Sequence, residues 1–137
     1  MKPASEQVSG TPEPAPYLIR FSVGDLRRVR LETAQWAART GLRPERIDDF
    51  VIAVSEIATN AVRYGSPEAQ LELRSGAGKT VLAEVRDTGR WEIDTGPREA
   101  EGRGRMGLAL ARRVCDEVDI RPGLTGTTVI LRMDLAG

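Results

Sequence analysis

Two stretches that alternate apolar and polar residues, AQLELRS (Ala69–Ser75) and TVLAEVRD (Thr80–Asp87), flank the short segment Gly76–Gly78. A period of two turns one face of each strand toward a core. A glycine turn this short joins the strands antiparallel, as a hairpin. A sheet built on such a hairpin is not the parallel, doubly wound kind that takes helices on both faces. Its helices gather on one face instead.

The rest of the chain fits that constraint. YLIRFSV (Tyr17–Val23), a short run around Val118–Arg121, and GTTVILRMDL (Gly126–Leu135) have strand character. Leu26, Val29, Thr33, Trp36 and Ala37 recur at helical spacing, from an N-cap at Asp25 through Thr40 to a stop at Gly41. A second helix opens at Pro44, with Glu45 and Asp48 at its positive end. Phe50, Val54, Ile57 and Ala61 form its apolar stripe, and Gly65 and Pro67 end it. A third helix starts near Met106 in MGLALARRVCDEV. The order β-α-α-β-β-loop-α-β-β predicts an α+β fold. It is a two-layer α/β sandwich with a mixed, mostly antiparallel sheet and helices on one face. Residues 1–16, rich in Pro, Ser, Gly and Glu, are expected to be a disordered tail, with 17–137 as one domain.

Composition removes several classes of chemistry. The 20 basic and 20 acidic side chains balance, which disfavours direct binding to nucleic acid or to an anionic membrane. The absence of His excludes imidazole bases, ligands and phospho-relays. The one Cys, Cys115, cannot form an internal disulfide, and its helical setting points to a buried thiol. No cluster of Cys, His or Asp has metal-ligand spacing. No apolar run is long enough to span a membrane and no hydrophobic signal core opens the chain, so a cytoplasmic location is expected.

Four segments carry potential chemistry. In AVSEIATNAVRYG, Glu56 and Asn60 stand one helical turn apart, flanking the apolar stripe. Alone, the pair is a solvated shoulder. In VRDTGRW, Asp87 ends a strand and Gly89 follows, a pattern common in turns. A carboxylate there can accept a bond from an exocyclic amine, and a glycine lets backbone approach a flat ring. In EGRGRMGLAL, glycines and Arg103 and Arg105 feed a helix N-terminus, a setting that suits phosphate. Its literal G-x-G-x-x-G lacks the preceding strand that dinucleotide binding requires. A Walker A motif is absent. In GLTGTTV, Gly126, Thr127 and Thr128 open the last strand, where hydroxyls can touch a ligand or simply favour the strand.

The order E-x-x-x-N on a helix, D-x-G after a strand, a glycine-rich segment entering a helix, and G-T-T before a strand resembles the GHKL ATP-binding superfamily. That group includes gyrase, histidine kinase catalytic domains and bacterial anti-sigma factors. The runs SEIATNAVRYG and GRMGLALARRVCDEV…GTTV look most like the anti-sigma factor serine kinases, over roughly Tyr17–Met133. The resemblance implies a Bergerat-type ATP-binding fold. It implies Glu56 as the base at the phosphoryl acceptor, Asn60 as the Mg²⁺ ligand beside the nucleotide phosphates, and Asp87 as the adenine-amine acceptor, with Gly89 beside it. It further implies Gly104, Arg105 and Gly107 at the phosphates, and Thr127 or Thr128 near the base. Three positions depart from the pattern. Arg105 stands where a glycine is usual, Tyr64 where His is frequent, and no second glycine follows Gly89.

The function this implies is an ATP- and Mg²⁺-dependent protein serine/threonine kinase. It sequesters a sigma factor and phosphorylates an anti-anti-sigma (STAS) protein, and family members often form a homodimer. The alternatives are a kinase-inactive ATP-binding regulatory module and a switch protein that acts by partner binding only.

Overall fold

The computed structural model describes residues 14–89 and 106–136. Most of the expected tail (residues 1–13) and most of the polar stretch after Gly89 lie outside these described residues. Five strands form one sheet: β1 (Tyr17–Ser22), β2 (Glu68–Gly76), β3 (Thr80–Asp87), β4 (Glu117–Gly123) and β5 (Gly126–Asp134). Their order is β1-β2-β3-β5-β4. All four pairings are antiparallel, so the described sheet has no parallel pair. Three α-helices accompany it: α1 (Leu26–Ala37), α2 (Pro44–Asn60) and α3 (Met106–Val114). The expected α+β sandwich is the architecture found.

The alternation in the sequence becomes the two faces of the sheet. Ile19, Leu71, Val85, Val129 and Ile120 line up in register across all five strands on the inner face. Against them pack Val29, Trp36, Phe50, Val54 and Ile57 from α1 and α2. Each fully buried large side chain of this kind contributes about 1.5–3 kcal/mol relative to exposure. On the outer face, charged residues pair along and across strands: Arg74 with Glu72 and Glu84, Arg86 with Glu84, Arg132 with Glu117. At the β2–β3 turn, Lys79 N–H donates to Gly76 O at 3.0 Å. The two residues between, Ala77 and Gly78, have φ of 55° and 70°, the double left-handed conformation of a type I′ hairpin turn.

Two helix ends differ from expectation. A 3-10 turn (Val23–Asp25) precedes α1, and Asp25 does not cap the helix forward. Its carboxylate reaches back to accept the Ser22 N–H at 3.0 Å and the Ser22 hydroxyl at 3.2 Å. That is the return half of a capping box, set by the extended backbone at Ser22. These bonds hold the Asp25 carboxyl below its ordinary pKa. At the other end of the helix layer, α2 does not run on to Gly65. It widens after Asn60 into a π-helical turn, Ala61–Gly65.

Cys115 is buried and unpaired, at the exit of α3. Burial, reinforced by the neighbouring Asp116 charge, pushes its thiol from 9.0 up to about 12. A raised folded-state pKa favours the neutral thiol, so its contribution is intact below pH 9 and is lost as pH climbs through the folded value. Cys115 is expected to resist iodoacetamide at pH 8 in the native protein and to react at once in denaturant. Urea midpoints should fall between pH 9 and 11 in the native protein and less steeply in Cys115→Ala. Rapid native alkylation would contradict this burial.

Candidate functional site

The polar residues of the inner face collect at one end of the sandwich. Asp87, Thr127 and Asn60 are 6%, 1% and 4% exposed. Asp87 and Thr127 are register partners on β3 and β5, one step beyond the apolar pair Val85 and Val129. Buried polar groups of this kind require partners. Asp87 Oδ1 accepts the Gly89 N–H at 2.8 Å, and Thr127 donates its hydroxyl to Gly89 O at 3.2 Å. The turn after β3 is thereby tied to both strands.

The π-helical turn brings α2 to this strand end. Five residues past Asn60, Gly65 lies so close to Asp87 that a Cβ there would sit 2.5 Å from Oδ1 and 2.6 Å from Oδ2. The same is true of Gly89, whose Cβ would sit 2.7 Å from the Gly65 Cα. The Gly65 and Gly89 backbones and the Asp87 carboxylate therefore meet where no further side chain fits. A π-turn, with its i→i+5 bond, is the local means. Ser66 N–H donates to Ala61 O at 2.9 Å, adding width that redirects the chain onto the strand end.

One turn back along α2, Glu56 faces α3. A Cβ on Gly107 would lie 2.6 Å from Glu56 Oε1, so the start of α3 rests directly on this carboxylate. The chain of contacts runs from Gly107 to Glu56, along one helical turn to Asn60, through the π-turn to Gly65, and on to Asp87, Gly89 and Thr127. Thus the structure draws together residues from four of the sequence segments. It does not bring in Thr128. Successive strand residues face opposite ways, and Thr128 pairs with Arg86 and Arg121 on the outer face. Gly104 and Arg105 lie outside the described residues. Gly65 and Ser66 escaped the sequence reading, which took Gly65 as a helix stop. The glycine directly after the E-x-x-x-N helix was the available signal.

With this geometry in view, the sequence profile of the histidine kinase-like ATPase domain matches residues 19–133. The chain belongs to the histidine kinase-like ATPase domain family. Solved structures agree on the fold. This ATPase domain is similar to the RsbU and RsbW domains of Rv1364c from Mycobacterium tuberculosis, at 27% identity and a TM-score of 0.70, over 89% of this chain and 32% of that one. It is also similar to the histidine kinase domain of the Erythrobacter litoralis EL346 blue-light activated histidine kinase, at 21% identity and a TM-score of 0.55, over 82% of this chain and 64% of that one. It therefore spans about a third of the first chain and just under two thirds of the second. No helix among the described residues is long and apolar enough to cross a membrane.

The close approach at Gly65 has a measurable consequence. Gly65→Ala should destabilise the ATPase domain by about 1–3 kcal/mol, as overpacking does, because the new methyl meets a carboxylate held by its own hydrogen bond. Gly24→Ala, where nothing lies within 4 Å, should change stability by no more than about 0.5 kcal/mol. Urea denaturation of the two variants makes the comparison; equal midpoints would disprove the contact.

Proposed function

We propose that this ATPase domain is an anti-sigma regulatory kinase of the cytoplasm. It binds ATP, holds a sigma factor, and transfers the terminal phosphoryl group to a serine or threonine of an anti-anti-sigma (STAS) protein. The observation that carries the reading is the Glu56–Asn60 pair on α2, one helical turn apart, with α3 resting on Glu56 through Gly107. The likeness to a protein containing an RsbW domain, over 89% of this chain, supports the same class.

The residues present suit ATP and Mg²⁺. The Gly65 and Gly89 backbones pack against the Asp87 carboxylate and against each other, so no side chain of either glycine stands beside that carboxylate. Asp87 would accept the adenine amine. Thr127 would flank the base. Gly107, at the start of α3, would border the phosphates, beside Gly104 and Arg105. Among the described residues no group of three or more His, Cys, Asp or Glu could hold a metal by itself. Mg²⁺ takes few protein oxygens and completes its shell with phosphate and water. Asn60 would supply the amide oxygen. Bound Mg²⁺ supplies charge neutralisation at the phosphates.

In the transfer itself, the acceptor hydroxyl oxygen forms a bond to the γ-phosphorus. The bond from that phosphorus to the β–γ bridging oxygen breaks, and ADP leaves with the electron pair. Glu56 takes the hydroxyl proton, a role within reach of a carboxylate that is half-buried and aimed from a rigid helix. Phosphorylation adds about −1.5 to −2 charge to the partner and weakens its docking by repulsion and desolvation.

Three substitutions test the assignment. Glu56→Ala should bind ATP as the native protein does and lose transfer by roughly 10²–10⁴-fold, the usual worth of a general base. Asn60→Ala should lose the magnesium-dependent part of ATP affinity in calorimetry. Asp87→Ala should bind ATP and GTP alike. Purified protein with labelled ATP, magnesium and STAS proteins of the same genome is the decisive assay. Labelled STAS protein supports the kinase; tight ATP binding with no transfer to any of them assigns the chain to the binding-only class.

A further inference from the structure

We propose that Ser66 is a positioning residue for recognition of the nucleotide base, locking the Asp87–Thr88 peptide in the orientation that presents the Asp87 carboxylate. The inference rests on the reading of Asp87 as the base-recognising group.

Ser66 is buried, at 8% exposure, and follows the π-helical turn. Its hydroxyl donates to Glu68 O at 2.7 Å and accepts the Thr88 N–H at 3.0 Å. A serine hydroxyl has one proton to give. Committing it to Glu68 O turns a lone pair toward Thr88. One side chain thus connects the exit of the π-turn, the start of β2 and the exit of β3.

The Thr88 N–H shares a rigid plane with the Asp87 carbonyl. Gripping the N–H therefore fixes the plane and with it the Asp87 ψ angle. The carbonyl edge of that plane is constrained as well, because a Cβ at Gly126 would overlap Asp87 O and lie 2.9 Å from the Thr88 Cα. The next amide, Gly89 N–H, bonds the Asp87 carboxylate itself. Two successive amides are thus held, the first by Ser66 and the second by the side chain being positioned. Without the Ser66 hydroxyl the N–H edge of this peptide loses its acceptor, and the Gly89 bond passes any shift there to the carboxylate.

The test compares the native protein with Ser66→Ala and Ser66→Thr, titrated calorimetrically with Mg-ATP and Mg-GTP. Ser66 has an extended backbone, φ −140° and ψ 157°, which a β-branched residue adopts readily. Ser66→Ala should lose roughly fivefold in ATP affinity, the worth of one neutral hydrogen bond, and should narrow the ATP-over-GTP preference. Ser66→Thr should retain both. If the threonine variant does not fold, Ser66→Cys, a weaker acceptor, should fall between serine and alanine. An unchanged preference in Ser66→Ala, or an equal loss for both nucleotides, overturns the positioning role while leaving the Asp87 reading intact. A native protein that binds neither nucleotide overturns both.

Discussion

A carboxylate buried at the end of the central strand is the constraint on which the rest of this molecule turns. Asp87 sits on the inner face, where the layer above is apolar, and a charge there needs hydrogen-bond donors. The chain meets the need locally, with a backbone amide two residues on. The surrounding backbone is then drawn in so tightly that Gly65, Gly89 and Gly126 are all positions where a Cβ would collide. The antiparallel register makes this possible, since it sets Thr127 beside Asp87 and lets its hydroxyl hold the same turn. A polar, backbone-rich corner results, in a sandwich whose core is otherwise largely aliphatic and aromatic.

Helix α2 is the spine that links this corner to the rest of the site. Its apolar stripe, Phe50, Val54 and Ile57, fastens it to the sheet. Glu56 and Asn60 leave the stripe on a shared edge, because residues four apart recur on one face. Past Asn60 the helix widens into the π-turn. The π-turn changes the exit direction and brings Gly65 onto Asp87. Glu56 and Asp87, 31 positions apart by residue number, belong to one connected cluster for that reason.

The period-two and helical patterns made the sheet and helices legible from sequence. β3 spans Thr80–Asp87 both in the alternation and in the structure, β2 runs one residue further than expected at each end, and β5 stops one residue short. What stayed hidden has specific physical causes. A π-turn adds one residue to a helical turn without a composition of its own, so Ala61–Gly65 looked like the tail of α2. Asp25 holds the expected N-cap position, but its carboxylate bonds back to Ser22 across the 3-10 turn instead of forward into the helix. Thr127 and Thr128 are chemically alike, and only the register with β3 decides which faces inward. Ser66 drew no reading from the sequence, since its partner Thr88 is 22 residues away. The chemistry-bearing pairs were visible because side-chain type marks them; backbone proximity leaves no such mark.

The end of the helix layer opposite the polar corner is tied by charge. Arg46, near the start of α2, donates to Asp116 at 2.8 Å just beyond α3. The same carboxylate oxygen accepts the Asp134 N–H at 2.7 Å, and the Asp116 N–H bonds Arg132 O at 2.9 Å. Glu56 meets Gly107 at the site end of α2, while Arg46 meets Asp116 at the far end, so α2 and α3 run in opposite directions and are clasped at both. The connection between β3 and α3 consequently departs from a fixed point, Gly89 on Gly65, and rejoins at another, Gly107 on Glu56. Both points belong to α2 or its π-turn.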